Sequence, residues 1–178
     1  SDVYKRQHFV KRINDREQLI RKCEIIPIEF VTRNVVAGSI AKKLGLKEGT
    51  KLKKPFLEYY YKEDKLDDPM ISRDHVVAFG WATASEIKKI DKMSLEINRY
   101  LKMLFIKKGI VLIDFKIEFG RLASNPKKIV LADEISPDSC RLWDKKSNQK
   151  LDKDVFRRNL GSLMNAYEEV ASRLGIMH

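Results

Sequence analysis

The stretch VLIDFKIEFG, Val111 to Gly120, alternates apolar and ionisable side chains with a period of two. That period belongs to a β-strand, in which successive side chains point to opposite faces. Ile113, Phe115, Ile117 and Phe119 make one apolar face, and Asp114, Lys116 and Glu118 line the other. A second β-rich run, KIVLADEI, follows across the polar loop RLASNPKK. A hairpin with its loop centred between Ser124 and Asn125 places Asp133 opposite Lys116 and diagonal to Asp114 and Glu118. Three carboxylates around one ammonium admit two readings. One is a solvated outer face with cross-strand ion pairs, which are worth little. The other is a cleft floor, where carboxylate oxygens hold a hard cation such as Mg²⁺ and the lysine meets an anionic ligand.

Working outward, Ser1 to Gln7 carries no pattern and is set aside as a terminal stretch, and His8 to Ile13 reads as a short strand. NDREQLIRK predicts one short helix capped by Asn14 or Asp15. CEIIPIEFVTRN is β-rich, with Pro27 marking an edge, bulge or hinge because it cannot donate to a ladder. AGSIAKKLGL predicts a turn, a helix opening near Ser39 and a stop at Gly45. Phe56 to Tyr61 is strand-like, and residues 62–80 read as a long polar loop with a short helical or extended piece. Thr83 and Glu86 form a T-x-x-E capping box, after which Ile87, Ile90, Met93, Ile97, Leu101 and Leu104 recur at helical spacing up to Gly109. A last helix is expected from Asp152 or Lys153 to Leu174, with the stripe Phe156, Leu160, Leu163, Tyr167, Val170 and Leu174. Strands clustered apart from long helices give an α+β class, an antiparallel sheet with long flanking helices.

The 178 residues are 43% hydrophobic and 34% charged, a globular composition sufficient for one sizeable core. Two distant cysteines, Cys23 and Cys140, point to a reducing compartment rather than a disulfide framework. No apolar run is long enough to span a bilayer and the start is not a signal peptide, so the cytoplasm is the expected location. Thirty-six Lys+Arg against 25 Asp+Glu give a formal charge of +11. That excess fits an anionic small substrate or, as an alternative, a non-catalytic basic nucleic-acid-binding domain. No stripe interleaves the lysines with aromatics, as a single-strand binder needs, so nucleic acid is the less favoured partner. Self-association stays open.

RNVVAGS, Arg33 to Ser39, joins a glycine free to turn tightly, a serine that can cap, and an arginine able to fork onto a phosphate. ADEISPDSCRLWD leaves its strand at Asp133-Glu134, turns at Ser136-Pro137-Asp138 and presents Arg141, a concentration of polar groups typical of a binding edge. Lys62 and Asp68 lie on a loop of mixed charge, and Arg157 in the first turns of the last helix, where surface roles are equally open.

RNVVAGS, DDPM, GWAT, DFKIEFG, LADEISPDSCRLWD and LDKDVFRRNLG occur in one order from His8 to Gly175, and with them the chain resembles the phosphoribosylaminoimidazole-succinocarboxamide synthase (SAICAR synthetase) family. The resemblance implies a ligase of purine biosynthesis that joins L-aspartate to carboxyaminoimidazole ribonucleotide, with ATP and Mg²⁺, on an ATP-grasp- or kinase-like two-lobe architecture. It assigns Glu118 and Asp133 to the metal and Arg33, Ser39 and Arg141 to the ribonucleotide phosphate. Asp114 and Lys116 fall beside the reacting carboxylate, and Lys62, Asp68 and Arg157 around the nucleotide and aspartate pockets. Glu24 to Glu29, with Glu24, Ile25 and Glu29 as contacts, looks like the strand against which adenine packs. The family's Gly-rich Y-x-G-K-x-K-like loop does not occur in the chain. Residues 1–32 are therefore expected to be the remnant of an N-terminal nucleotide-binding lobe and 33–178 the catalytic, substrate-binding domain, with impaired ATP binding.

Overall fold

The computed structural model describes residues 6–14 and 16–176. Among the described residues nine strands form: β1 (Phe9–Arg12), β2 (Gln18–Ile20), β3 (Cys23–Ile25), β4 (Ile28–Val35), β5 (Lys51–Tyr61), β6 (Met70–Ile71), β7 (Ile110–Leu122), β8 (Asn125–Ala132) and β9 (Cys140–Asp144). The α-helices are α1 (Ser39–Leu44), α2 (Arg73–Ala78), α3 (Ala84–Lys107), α4 (Asp154–Arg157) and α5 (Leu163–Leu174). β1 and β2 pair with each other. The remaining strands hydrogen-bond in the order β3-β7-β4-β5-β6, with β8 and β9 also paired to β7. The strand predicted from VLIDFKIEFG, β7, pairs with four others, more than any other strand among the described residues.

Two compact units share these elements. One comprises Ser1–Phe30, Glu58–Ser94 and Ile117–Glu134; the other comprises Val31–Leu57, Leu95–Lys116 and Ile135–His178.

In the first unit, residues 118–122 of β7 are flanked antiparallel by β3 and β8. Gly120 allows this close approach, because a Cβ there would meet Cys23 Sγ and the Glu24 carbonyl at 3.0 Å. Pro27 separates β3 from β4, as its missing N–H predicts, and its carbonyl accepts from the Lys62 N–H at 3.0 Å. Phe30 is fully buried and packs edge-on against Phe119 and Tyr59, with centroids at 5.4 and 5.7 Å.

The α3 start is as predicted. The Thr83 N–H donates to Glu86 Oε2 at 2.8 Å, and the Glu86 N–H donates to Thr83 Oγ1 at 3.2 Å. Glu86 also accepts two hydrogen bonds from Arg121 of β7, at 2.7 and 3.0 Å. The Arg121 hydrogen bond, aided by the cap, outweighs burial and lowers the Glu86 carboxyl to about 2 from an ordinary 4.5. A carboxyl lowered in the folded state adds stability that is present above about pH 4.5 and lost as pH falls through about 2. Glu86→Gln is therefore expected to cost about 2 kcal/mol at neutral pH, after allowance for partial solvent access. The difference from wild type should shrink as pH falls below 4.5 and vanish in acid denaturation only below about pH 2.

In the second unit, Val35, Ala37, Ile113 and Trp143 form a buried apolar cluster, and β9 pairs with residues 110–115 of β7. Asn34 and Asn98 exchange two side-chain amide hydrogen bonds, at 2.8 and 2.9 Å, deep in this unit. The apolar periodicity of α3 gave no hint that Ser94 and Asn98 would be buried along with Ile87, Ile90, Leu101 and Phe105.

Four expectations need correction. NDREQLIRK is not a helix but the turn and second strand of the β1–β2 hairpin. Asn14 Oδ1 captures the Arg16 N–H at 2.8 Å, and a side chain that bonds its own backbone competes with a short helix lacking support. Asp15 lies outside the described residues. The stretch set aside at the N-terminus enters the fold at Gln7, which bridges to Leu131, while its first five residues lie outside those described. The β7–β8 register is slipped by one: Glu118 pairs with Ala132, so Asp133 does not face Lys116. An irregularity between Arg121 and Leu122 tightens the turn and absorbs the slip. The last helix is two helices, because Asn159 and Gly161 take φ of 52° and 140° and Ser162 caps a fresh start at the Asn165 N–H. Phe156 and Leu160 of the expected stripe are consequently exposed.

Candidate active site

The solvated-face reading of the opening strand fails in both units: Asp114 is 3% exposed and Glu118 5%. Each carboxylate is instead answered by a cation.

In the second unit, a bulge between Leu112 and Asp114 sets Asp114 opposite Arg141 of β9. Arg141 Nη1 donates to both Asp114 oxygens at 3.1 Å. Arg33, 2% exposed on β4, donates from Nη1 to Asp114 Oδ2 at 2.7 Å and from Nη2 to Ser39 Oγ at 3.0 Å. Because Ser39 Oγ accepts from Arg33, its own hydroxyl proton is left to donate elsewhere. Burial pushes the Asp114 carboxyl above the ordinary carboxylate range, while Arg141 and Arg33 pull it back. Arg141 also donates from Nε to Asp154 Oδ2 at 2.9 Å, and Arg157 donates to Asp154 Oδ1 at 3.0 Å. Burial opposes ionisation of Asp154, but Arg141 and Arg157 outweigh it and hold the carboxyl below its usual range.

Gly38 makes this assembly feasible. Its φ is +61°, and a Cβ would come within 2.5 Å of Arg141 Nη2. A cleft of about 630 Å³ opens here, lined by Gly38, Ser39, Arg141, Arg157 and their neighbours. Lys42, Arg141, Arg157 and Arg158 supply four cations against the two carboxylates Glu48 and Asp154, a formal excess of two positive charges. Such a cleft is built to attract a small anion. Lys116, half-buried, donates its backbone N–H to the Ser139 carbonyl at 2.8 Å.

In the first unit, Lys62 Nζ lies 2.6 Å from Glu118 Oε1. Partial burial opposes the charge on Lys62, but the hydrogen bond to Glu118 and the fields of Glu118, Glu29 and Asp133 overcome it and raise its pKa. Glu118 thus contacts the Lys62 ammonium directly, and Asp133 adds only its longer-range field. Asp133 is exposed just beyond β8, with φ of 65°. Asp68 accepts the Glu63 N–H at 2.9 Å and shapes the loop after Lys62. Glu24 and Ile25 are exposed on β3, whereas Glu29 is buried on β4. Among the described residues no group of three or more His, Cys, Asp or Glu side chains gathers as a metal cage.

Sequence reasoning assigned Arg33, Ser39, Asp114 and Arg141 individually, and the fold brings them into one network. It missed Asp152 and Asp154. Their signal was present in LDKDVFRR, two carboxylates just ahead of two arginines, which reads on its own as an ordinary helix start.

The family model described as SAICAR synthetase matches residues 2–174. The chain belongs to the SAICAR synthetase family. It is 61% identical over 171 residues to the phosphoribosylaminoimidazole-succinocarboxamide synthase of Acidiphilium cryptum, covering 96% of this chain and 67% of that protein. The crystal structure of the same enzyme from Ehrlichia chaffeensis superposes with a TM-score of 0.94 at 48% identity, covering 97% of this chain and 73% of the other. A SAICAR synthetase solved in complex with ADP superposes with a TM-score of 0.90 at 47% identity, covering 95% and 71%. The α+β fold is thus that of the SAICAR synthetases, ligases of purine biosynthesis. The nucleic-acid alternative gains no support from these relatives. Among the described residues no helix is long and apolar enough to cross a membrane.

Proposed function

We propose that the chain joins L-aspartate to the carboxylate of carboxyaminoimidazole ribonucleotide at the expense of ATP, giving SAICAR, ADP and phosphate. The observation that supports it best is the Arg33–Asp114–Arg141 network, whose cleft offers a guanidinium edge and the Ser39 hydroxyl to a phosphate. Arg33, Ser39 and Arg141 hold the ribonucleotide phosphate in this reading, and Arg157, at the cleft wall, takes a second anionic group such as an aspartate carboxylate. Asp114 and Lys116 serve the reacting carboxylate: Asp114 fixes the arginines, and the Lys116 ammonium offsets charge that develops during phosphoryl transfer. Glu24, Ile25 and Glu29 are assigned to adenine, and Lys62 and Asp68 to the nucleotide and aspartate pockets. Residues 1–32 are assigned to the part of the nucleotide-binding lobe that carries the hinge strand, and 33–178 to the catalytic, substrate-binding domain.

Glu118 and Asp133 are assigned to Mg²⁺: a Glu118 oxygen already holds a compact cation, the Lys62 ammonium, at 2.6 Å, and the Asp133 charge adds to the field there. Mg²⁺ typically takes one or two carboxylates together with waters and phosphate oxygens, so two suffice. When bound, the metal would neutralise phosphate charge. Lys62 is 43% exposed and can swing toward water or a nucleotide phosphate while Glu118 turns to the metal. Cys23 and Cys140 are both free thiols, which supports the cytoplasmic assignment.

Arg141→Ala tests the reading. Loss of a charged fork is worth about 1.5–3 kcal/mol, so ribonucleotide affinity measured by calorimetry should fall by roughly tenfold to a hundredfold. Unchanged affinity in a folded variant would remove Arg141 from the phosphate site.

A further inference from the structure

We propose that Asp154 is a positioning residue that aims the Arg141 guanidinium at the anion in the cleft. The proposal rests on the phosphate reading of Arg141. A guanidinium is planar, so fixing two of its nitrogens fixes the third. Asp114 holds Nη1 from β7, and Asp154 holds Nε from α4. Nη2 lies against Gly38 at the cleft wall, and among the described residues it donates to no protein group. It is the nitrogen left for a ligand.

Asp154 is itself held in place. Its N–H donates to Asp152 Oδ1 at 2.8 Å, while Asp152 Oδ2 accepts the N–H of Leu142, the residue after Arg141, at 2.7 Å. One buried carboxylate thus ties the start of α4 to the strand that bears Arg141. Asp154 is 4% exposed at its side chain and Asp152 1% exposed as a residue, so neither moves freely. By charge alone, a carboxylate in a cleft that binds an anion is unfavourable. Its presence there makes sense if orientation is worth more than the repulsion, and the two roles predict opposite signs.

The test is Asp154→Asn, which keeps the shape and one acceptor but removes the charge, titrated calorimetrically with ribose 5-phosphate. Positioning predicts affinity at least tenfold weaker, and almost no further loss when the change is made in an Arg141→Lys background, where no fork remains to aim. Unchanged or tighter binding overturns the proposal, as does an equal penalty in the Arg141→Lys background, which marks a purely structural role. Arg141→Ala with undiminished ribose 5-phosphate affinity overturns the phosphate reading and the positioning role with it. If Asp154→Asn does not fold, nitrogen-15 NMR of the wild-type chain decides. The Arg141 Nε–H should exchange slowly and persist when ribose 5-phosphate binds, whereas fast exchange overturns the proposal.

Discussion

Asp114→Ala is expected to destabilise the protein by about 3–5 kcal/mol, the usual cost of deleting one partner from a buried ion pair. Arg33 is 2% exposed, and the substitution strands its guanidinium without the carboxylate 2.7 Å away. Arg141 loses the same anchor and retains only Asp154. For a chain of this size the loss corresponds to a fall in Tm of roughly 6–20 °C, to be followed by calorimetry and urea unfolding. Asp114→Asn should be milder, because the amide oxygen keeps one acceptor. A loss below about 1 kcal/mol for the alanine variant would mean that the arginines find other partners and that Asp114 does not organise this unit. Ribonucleotide binding should decline with Asp114→Ala even at temperatures where the variant stays folded, since both arginines then lack a fixed direction.

Glu118→Gln is expected to leave the fold nearly intact yet lower Mg²⁺-dependent nucleotide binding and synthetase turnover by at least about a hundredfold, the order seen when one group stabilising developing charge is removed. Stability should hold because the partner, Lys62, is 43% exposed and can turn to water. The neutral amide is a poor ligand for a hard cation, and it leaves Asp133 as the remaining carboxylate of the pair. Binding of Mg²⁺–ADP, read by calorimetry against ADP alone, separates the metal role from any loss of nucleotide contacts. If Glu118→Gln binds Mg²⁺–ADP as wild type does, Glu118 is a structural partner of Lys62 and not a metal ligand.

The local elements were legible where one pattern dominates. The T-x-x-E box of Thr83 and Glu86 predicts the start of α3, and the gap between β3 and β4 at Pro27 follows from a missing donor. Elements failed where competing local interactions decide. Asn14 offered the backbone an Asx turn in place of a helix, and Ser162 offered a second cap that divided the last helix. The β7–β8 register failed by one residue, since the irregularity at Arg121 and Leu122 leaves no mark in composition or period.

Alone, the sequence determined that a strand from 111 to 120 would present Asp114, Lys116 and Glu118 in alternation, because a pleated backbone leaves side chains no other choice. It also determined the family, through motifs in a fixed order. Which charges would be buried, and against what, was decided only by the tertiary structure. Arg33, Asp114, Arg141 and Asp154 are separated by up to 121 positions along the chain and meet within about 3 Å, and Lys62 reaches Glu118 across 56. Ion pairs between distant segments depend on the register of several strands at once, and no local period encodes that.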